Sequence, residues 1–193
     1  MNLIKSPSSA ALVGAPGRRL QVGGQVVTLD AGRVYVATWP TSAAMSADIK
    51  WLCGLASPTI RYAGGVLISD ISLEDNLMAE PSLLEGALPT HLMPEIETLF
   101  GLAGSAVASG AWRNTFPDQA DALAVMQVQV GRALAADPDL LLVDATHWDD
   151  IVLQPARFSQ SFVTQFPWRT LIWATHDSVR ADRLRVILEE LFA

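Results

Sequence analysis

GRALAADPDLLLVD, at residues 131–144, joins the end of a predicted helix to a predicted buried strand. Apolar residues at helical spacing predict the helix over Ala120–Ala136, and the apolar run Leu140–Val143 predicts the strand. That strand ends at Asp144. A helix followed closely by a buried strand is the repeating unit of a parallel α/β sheet.

The same alternation continues toward the end of the sequence. The pattern predicts a helix at Ala156–Phe166, a strand at Thr170–Ala174 that ends near His176, and a last strand at Leu184–Ile187. These lengths favour a parallel sheet flanked by helices, and such sheets bind ligands beyond the carboxyl ends of their strands. Asp144 and His176 both lie at predicted carboxyl ends, so they are the first candidate site residues.

Upstream, the sequence predicts an antiparallel β edge and then a helical insertion. Residues 1–17 combine Pro, Ser and Gly, which indicates a loose start or an irregular edge strand. Prolines interrupt short helical stretches further on, and predict a reduced helical lobe at about residues 70–118. The remaining predicted elements are a hairpin of Leu20–Val22 and Val26–Leu29, a strand at Arg33–Thr38, a helix at Met45–Gly54 and a strand at Val66–Ile68.

Length and composition limit the kind of protein. The 193 residues are predicted to form a single domain over 1–193. The net charge of −7, from 13 Lys and Arg against 20 Asp and Glu, leaves no basic stripe for a phosphate backbone, so nucleic acid is excluded as a partner. Apolar residues make up 50% of the chain, which either a well-buried parallel sheet or a permanent protein partner would explain.

The sequence predicts neither a direct membrane span nor a secretion signal. No apolar run reaches the roughly 18 residues that a transmembrane helix needs. The start Met1–Lys5 leads into a polar Ser-Pro-Ser-Ser stretch, and the single cysteine, Cys53, rules out an internal disulfide. The expected location is the cytoplasm.

The stretch at residues 131–144 resembles the most recognisable part of ABC-transporter ATPases, where a helix ending in A-R-A-L leads to a strand ending in D-E. Leu171–Asp177 reads LIWATHD and resembles the switch strand of the same family, which ends in T-H-D. The resemblance implies a P-loop-NTPase-like fold and a family whose cofactors are ATP and magnesium. It extends to Gly32–Thr38 on the strand that enters the phosphate loop, Cys53–Leu55 on the A-G-L helix end, Ile71–Leu77 on the start of the helical lobe and Ala181–Ile187 on the A-D-R strand.

The phosphate loop departs from the family pattern. The family has G-x-x-G-x-G-K-[ST]-T, in which glycines let backbone N–H groups surround the phosphates and the lysine contacts them. The corresponding span, Trp39–Ala47, contains no glycine, and Met45 stands at the lysine position. Ser46 keeps the hydroxyl that would hold magnesium. Trp39 either occupies the phosphate space or is a core aromatic at a strand end.

Three further motifs are altered. The family signature L-S-G-G-Q falls on Ala120–Ala124, which places Asp121 at the serine position, where a carboxylate repels a triphosphate. Ala145 replaces the general base that follows Asp144, and loss of a base typically lowers a rate by a factor of about 10²–10⁴. The glutamine expected after the predicted strand Val66–Ile68 is missing, and Ser69 and Asp70 follow instead.

Ser46, Asp144 and His176 are the ATPase-type groups that remain. They indicate either residual nucleotide chemistry, with Ser46 and Asp144 holding magnesium, or a structural inheritance without a ligand. We favour the structural interpretation, because a carboxylate and an imidazole at adjacent strand ends can hydrogen-bond to loop backbone and neither keeps its working partner. No other metal site is predicted, since His147, Asp149 and Asp150 belong to a segment typical of a solvated loop. Cys53 is predicted to pack among apolar neighbours.

The resemblance and the lost motifs together predict a catalytically inactive ABC-transporter ATP-binding-type subunit. It would carry no cofactor and act as a regulatory or structural partner of an active ATPase subunit or of a transporter membrane subunit, at the inner face of the membrane through that partner. The alternative is the nucleotide-binding half of a heterodimeric ABC ATPase, with ATP and magnesium bound and partner-dependent hydrolysis. A third interpretation is a free-standing adaptor. Both homodimer and heterodimer fit the sequence.

Overall fold

A computed structural model of the chain describes residues 2–5, 18–22, 25–55, 59–79, 92–101, 111–146 and 154–192. The strands are β1 (Asn2–Lys5), β2 (Arg18–Val22), β3 (Gln25–Leu29), β4 (Val34–Thr38), β5 (Ile60–Ala63), β6 (Leu140–Asp144) and β7 (Thr170–Thr175). The helices are α1 (Ser42–Cys53), α2 (Leu73–Met78), α3 (Leu92–Leu99), α4 (Ala122–Ala135), α5 (Pro155–Gln165) and α6 (Ser178–Phe192), with a 3₁₀ turn at Ala111–Asn114.

The main sheet has five strands in the order β1-β4-β7-β6-β5. Strands β4, β7, β6 and β5 are parallel, and β1 adds to β4 in the antiparallel sense. A separate antiparallel pair, β2 and β3, matches the predicted hairpin, whose Gly23-Gly24 turn lies outside the described residues. The predicted α/β fold class, a P-loop-NTPase-like parallel sheet with an N-terminal antiparallel β edge, is confirmed.

Helices cover both faces of the parallel strands. On one face, Val36, Val143 and Trp173 pack with residues of α3 to α6 in the larger core cluster. On the other, Tyr35 and Ile172 pack with α1 in the smaller cluster. Burial on both faces explains why the central strands are continuous apolar runs.

Trp173 lies at the centre of the larger cluster. It is fully buried and sits in register between Val36 of β4 and Val143 of β6. Its indole Nε1 donates a hydrogen bond of 3.0 Å to Ser159 Oγ, and the Phe158 ring meets it edge-on at 5.6 Å between centroids. The indole therefore fastens β7 to α5 and supports the strands on either side.

Helix α1 starts earlier than its predicted first residue, Met45. Thr41 caps it, and the Thr41 side chain accepts a hydrogen bond of 3.1 Å from Ala44 N. Met45, Ile49 and Leu52 are the buried residues of the helix and form an apolar stripe at helical spacing. This stripe holds α1 against the sheet beside the carboxyl ends of its strands.

The prediction of a strand at Val66–Ile68 is wrong. The strand at this place is β5, at Ile60–Ala63, and it pairs with β6. Gly65 then has a φ of +83°, which turns the chain away from the sheet. Val66 is 93% exposed and Ile68 is 54% exposed as a result, whereas Leu67 packs in the larger core cluster without belonging to a strand.

The prediction of a last strand at Leu184–Ile187 is also wrong. The match of Ala181–Ile187 to the A-D-R strand of the family is wrong for the same reason. The segment belongs to α6 (Ser178–Phe192). Its buried residues, Ala181, Leu184 and Leu188, recur at helical spacing, while Val186 is 53% exposed. The β-branched pair Val186-Ile187 suggested a strand locally, but burial follows the helical stripe.

Helices α2 and α3 lie within the predicted helical lobe and pack on α4. Gly131 of α4 permits this approach, because a Cβ there would come within 2.7 Å of Ile96 Cδ1 and 2.8 Å of Leu77 Cδ1. Asn76 of α2 is fully buried and hydrogen-bonds the backbone of the preceding loop, including Ile68 N at 2.7 Å. The lobe limits of about 70–118 stay a prediction, as does the single domain over 1–193.

Candidate functional site

The carboxyl edge of the parallel strands brings the predicted site residues together. Asp144 is the last residue of β6, His176 follows β7 directly, and α1 begins at the same edge. A cavity of about 320 Å³ opens there, and its walls include Ser46, Met45, Asp144 and His176. Four of the five candidate residues therefore share one cavity, and Trp39 is the exception.

Both carboxylate oxygens of Asp144 are engaged by other residues of the chain. Oδ2 accepts a hydrogen bond of 2.5 Å from the Tyr62 hydroxyl, and Oδ1 accepts one of 2.8 Å from the Thr146 backbone N–H. Tyr62 belongs to β5, so the first bond joins the ends of two neighbouring parallel strands. Asp144 is thus held in place by internal donors.

The Tyr62 hydroxyl is held in its neutral form. Burial of the phenol raises its pKa, and the hydrogen bond to Asp144 and the negative charge of that carboxylate raise the pKa further. Cys53 adds a smaller contribution in the same direction. A neutral phenol is a donor, which is the role that it plays toward Asp144.

Gly64 gives this pair the space that it needs. A Cβ on Gly64 would lie 2.5 Å from Tyr62 Cζ, 2.7 Å from the Tyr62 hydroxyl oxygen and 2.8 Å from Asp144 Cβ. Any other residue at position 64 would therefore force the phenol, the carboxylate or the backbone to shift.

His176 is linked to Asp144 indirectly. Its Nδ1 lies 3.3 Å from the Thr146 hydroxyl, and that hydroxyl lies 3.4 Å from the hydroxyl of Thr175. Because Thr146 also donates its backbone N–H to Asp144, it is the bridge between the two strand ends.

The span at the phosphate-loop position forms a capped helix start. Thr41 takes the Ala44 N–H, one of the amides that a phosphate would otherwise meet. Met45 is only 4% exposed and belongs to the core cluster of this face, whereas the adjacent Ser46 is exposed. The lysine position therefore points its side chain into the core.

Trp39 is a core aromatic. It is 4% exposed within the smaller cluster, and its Nε1 donates a hydrogen bond of 2.8 Å to Asp48 Oδ2 of α1. It also borders a different cavity, of about 370 Å³, together with Ser178 and Arg185 of α6.

A second cavity, of about 420 Å³, adjoins the first across the Tyr62–Asp144 pair. Both cavities are lined by that pair and by Ser46. The far wall includes Val66 and the α4 residue Gln129, whose Nε2 donates a hydrogen bond of 2.7 Å to Gly65 O. The pair therefore stands between two volumes at the same edge.

Sequence reasoning missed Tyr62, Gly64 and Thr146. The missing glutamine was sought after Val66–Ile68, but the turn that follows the strand is Gly64-Gly65. The two glycines directly after Ile60–Ala63 were the available signal that this run is the strand.

Asp121, at the signature serine position, caps its own helix. Its Oδ1 accepts a hydrogen bond of 2.7 Å from Ala124 N at the start of α4, and the residue is exposed. An aspartate is among the preferred caps of a helix, so the local structure accounts for this carboxylate without a ligand.

Other candidate groups add little to the site. Within the described residues, no group of three or more His, Cys, Asp and Glu is arranged to hold a metal ion. His147, Asp149 and Asp150 lie outside those residues. Cys53 is half-buried, and burial raises the pKa of its thiol, as expected for a packing residue.

The fold is similar to that of several solved structures. One is cbiO1 from Clostridium perfringens, which is part of the ABC transporter complex cbiONQ. It gives a TM-score of 0.53 over 91% of this chain and 78% of that chain, at 13% sequence identity. The ATP-binding cassette MJ0796, in a dimeric post-hydrolysis state bound to ADP and Pi, gives a TM-score of 0.53 over 93% of this chain and 90% of that chain, at 15% sequence identity. An ATP-binding subunit of an ABC transporter gives 0.53 over 88% and 81%, at 17% identity.

The chain has the fold of ABC-transporter ATP-binding subunits. At these identities the likeness establishes the fold alone. The sequence matches no protein-family model, and it matches no curated protein at a significant level. None of the helices in the described part of the chain is both long and apolar enough to cross a membrane.

The residues present do not fit the Mg·ATP that this fold implies. The amides at the start of α1 are partly taken by Thr41, Met45 points into the core, and the oxygens of Asp144 accept bonds from Tyr62 and Thr146. Magnesium prefers oxygen ligands that are free to face it, usually with several waters. At this edge, groups of the chain itself take the hydrogen bonds that a ligand would make.

Proposed function

We propose that this chain is a catalytically inactive ABC-type ATP-binding subunit that acts as a structural or regulatory partner. Its partner would be an active ATPase subunit or the membrane subunit of a transporter. The chain would act as one domain over 1–193 and reach the inner face of the membrane through that partner. The fold supports the assignment to an ABC-type subunit. The internal hydrogen bonds of the site support its inactivity.

The observation that carries the proposal is the start of α1. A phosphate loop needs backbone that wraps the phosphates and a lysine that reaches them. Here the loop lacks glycine, Thr41 caps the helix, and the residue at the lysine position is a buried methionine, Met45. A lost charge-assisted hydrogen bond alone costs about 1.5–3 kcal/mol, or roughly a factor of 10 to 150 in affinity.

The strand end that would carry the general base supports the same proposal. Ala145 stands there, and its N–H donates a hydrogen bond of 2.8 Å to Ala174 O, which continues the β6–β7 pairing. An alanine cannot take a proton from water. Missing general-base catalysis accounts for a rate lower by a factor of about 10²–10⁴.

A protein partner is supported by exposed apolar side chains. Val66 is 93% exposed and Ile68 is 54% exposed, both in the loop after β5, and Trp51 at the end of α1 is 51% exposed. Aromatic side chains are enriched in the cores of interfaces, and exposed apolar patches often mark interaction sites. The similar subunit cbiO1 is itself part of a transporter complex.

The second candidate is the nucleotide-binding half of a heterodimeric ABC ATPase, with ATP and magnesium bound. The observation that favours it is that Ser46, Asp144 and His176 line one cavity. In this account the partner supplies the missing lysine and glutamate, and the Tyr62–Asp144 bond has to open.

Equilibrium binding of a fluorescent ATP analogue with magnesium separates the two candidates, because the second binds nucleotide even without the partner that hydrolysis requires. The purified chain is titrated with the analogue, and the Asp144→Asn variant serves as the matched control. We expect neither protein to bind it, because the start of α1 offers no phosphate loop. Wild-type binding that weakens in the variant would instead establish the second candidate.

A further inference from the structure

We propose that the Tyr62 phenol is an internal substitute for a metal-bound water on Asp144, and that this contact keeps the site from taking a divalent cation. The inference rests on the proposed function and assigns the exclusion of a divalent cation to one removable contact. In the alternative, Tyr62 is an ordinary packing residue and Asp144 would bind no cation even without it.

The first argument is the position of the hydroxyl. A carboxylate that binds a hydrated cation through water accepts a hydrogen bond from that water. Tyr62 donates such a bond to Oδ2 at 2.5 Å, while Oδ1 is fixed by Thr146 N at 2.8 Å. Tyr62 therefore occupies the carboxylate oxygen that the backbone leaves available.

The second argument is that the chain is shaped for this contact. Gly64 follows β5, and a Cβ there would collide with both the Tyr62 ring and Asp144 Cβ. The adjacent Gly65 turns away with a φ of +83° and would meet nothing within 4 Å. Of the two glycines, only Gly64 therefore lies in close contact with Tyr62 and Asp144.

The third argument is the space on either side. Cavities of about 320 Å³ and 420 Å³ meet at the pair and share Ser46 on their walls. Asp144 lines both cavities, so removing the Tyr62 hydroxyl would leave Oδ2 without a protein donor beside open space, with the exposed Ser46 on the same walls. An octahedral cation that keeps several of its waters needs room of this kind more than it needs many protein ligands.

The test measures Mn²⁺, a paramagnetic probe for a magnesium-type site, by electron paramagnetic resonance titration. The variants are Tyr62→Phe, which removes the hydroxyl and keeps the ring, and Tyr35→Phe, which removes a hydroxyl bonded to Asp30 N outside either cavity. We expect Tyr62→Phe to bind Mn²⁺ at least about tenfold tighter than wild type, and Tyr35→Phe to match wild type. Adding Asp144→Asn to Tyr62→Phe should remove the gain.

A second variant keeps the test decisive if Tyr62→Phe folds poorly. Tyr62→Leu also removes the hydroxyl but leaves Asp144 and Gly64 unchanged, so it should also gain Mn²⁺ affinity. Folded variants, checked by circular dichroism, that bind Mn²⁺ no tighter than wild type would overturn the assignment of Tyr62. Binding of Mg·ATP by wild type would instead overturn the proposed function, so the two failures are distinguishable.

Discussion

Two regions at the carboxyl edge of the sheet differ in how far they follow the ABC-ATPase pattern that the sequence resembles. At the β4–α1 junction the residues themselves are replaced, and Met45 and Trp39 pack into the core. At the ends of β6 and β7 the residues remain, but Asp144 is bonded to Tyr62 and Thr146. The contrast shows that a side chain that matches the family pattern can still have its hydrogen-bonding capacity used by other residues of the chain.

The largest expected effect concerns the scaffold that both regions share. Trp173→Ala removes the indole that lies between β4 and β6, and should lower the free energy of unfolding by about 3–5 kcal/mol. Urea unfolding followed by circular dichroism measures it. The control is Trp51→Ala, where half of the side chain is exposed, and an equal loss there would show that the indole position does not matter.

The next effect tests whether Asp144 is structural. Asp144→Ala leaves the Thr146 N–H and the Tyr62 hydroxyl without their acceptor, so the free energy of unfolding should fall by about 1–3 kcal/mol. Ser46→Ala, in the replaced region, changes an exposed hydroxyl and should stay within about 0.5 kcal/mol of wild type. Equal effects of the two substitutions would erase the contrast between the regions.

A smaller effect is expected at the start of α1. Thr41→Ala removes the cap on Ala44 N and should lower the free energy of unfolding by about 1 kcal/mol. Thr41→Ser keeps the hydroxyl and should retain most of that stability. If both variants match wild type in thermal unfolding, the Thr41 hydroxyl does not stabilise the start of α1. The Ala44 amide would then be open to a ligand.

The smallest effect is a shift in titration. Burial and Asp144 raise the pKa of Tyr62 above the ordinary value of 10.0, so Asp144→Asn should lower that pKa by removing the negative charge. Tyrosine absorbance during an alkaline titration reports it, in a Tyr35→Phe background that leaves Tyr62 as the single tyrosine. An unchanged pKa would mean that the carboxylate does not act on the phenol.

The same shift sets a direction for stability. Because the pKa of Tyr62 is raised in the folded chain, its contribution to stability is complete below pH 10.0 and falls as the pH rises beyond that value. Tyr62→Phe should lose less stability than wild type over this alkaline range, as measured by urea unfolding at several pH values.

The sequence was sufficient where a single element carried the signal. The apolar runs of β6 and β7 and the long helix α4 are confirmed, because burial on both faces leaves an unbroken apolar pattern. Strand β5 was missed because Arg61 interrupts it at the edge of the sheet, while the segment Val66–Ile68, of which only Leu67 is buried, is locally more apolar. Local propensity cannot tell which of two neighbouring runs finds a strand partner.

The site was predictable to the same extent. The edge position of Asp144 and His176 follows from the strand ends, which the sequence marks clearly. The bond to Tyr62 spans 82 positions and depends on which strand lies beside β6, so no local pattern reports it. The cap on Ala44 likewise depends on where α1 begins, and helix boundaries are the least certain part of a pattern.

Isothermal titration calorimetry with Mg·ATP tests the central claim most directly. The wild-type chain is titrated at millimolar nucleotide beside Asp144→Asn, with thermal unfolding measured in the same buffers. The account predicts no saturable heat and no nucleotide-dependent stabilisation for either protein, because α1 offers no phosphate loop and Asp144 is already bonded. Micromolar binding by wild type that weakens in Asp144→Asn would contradict it.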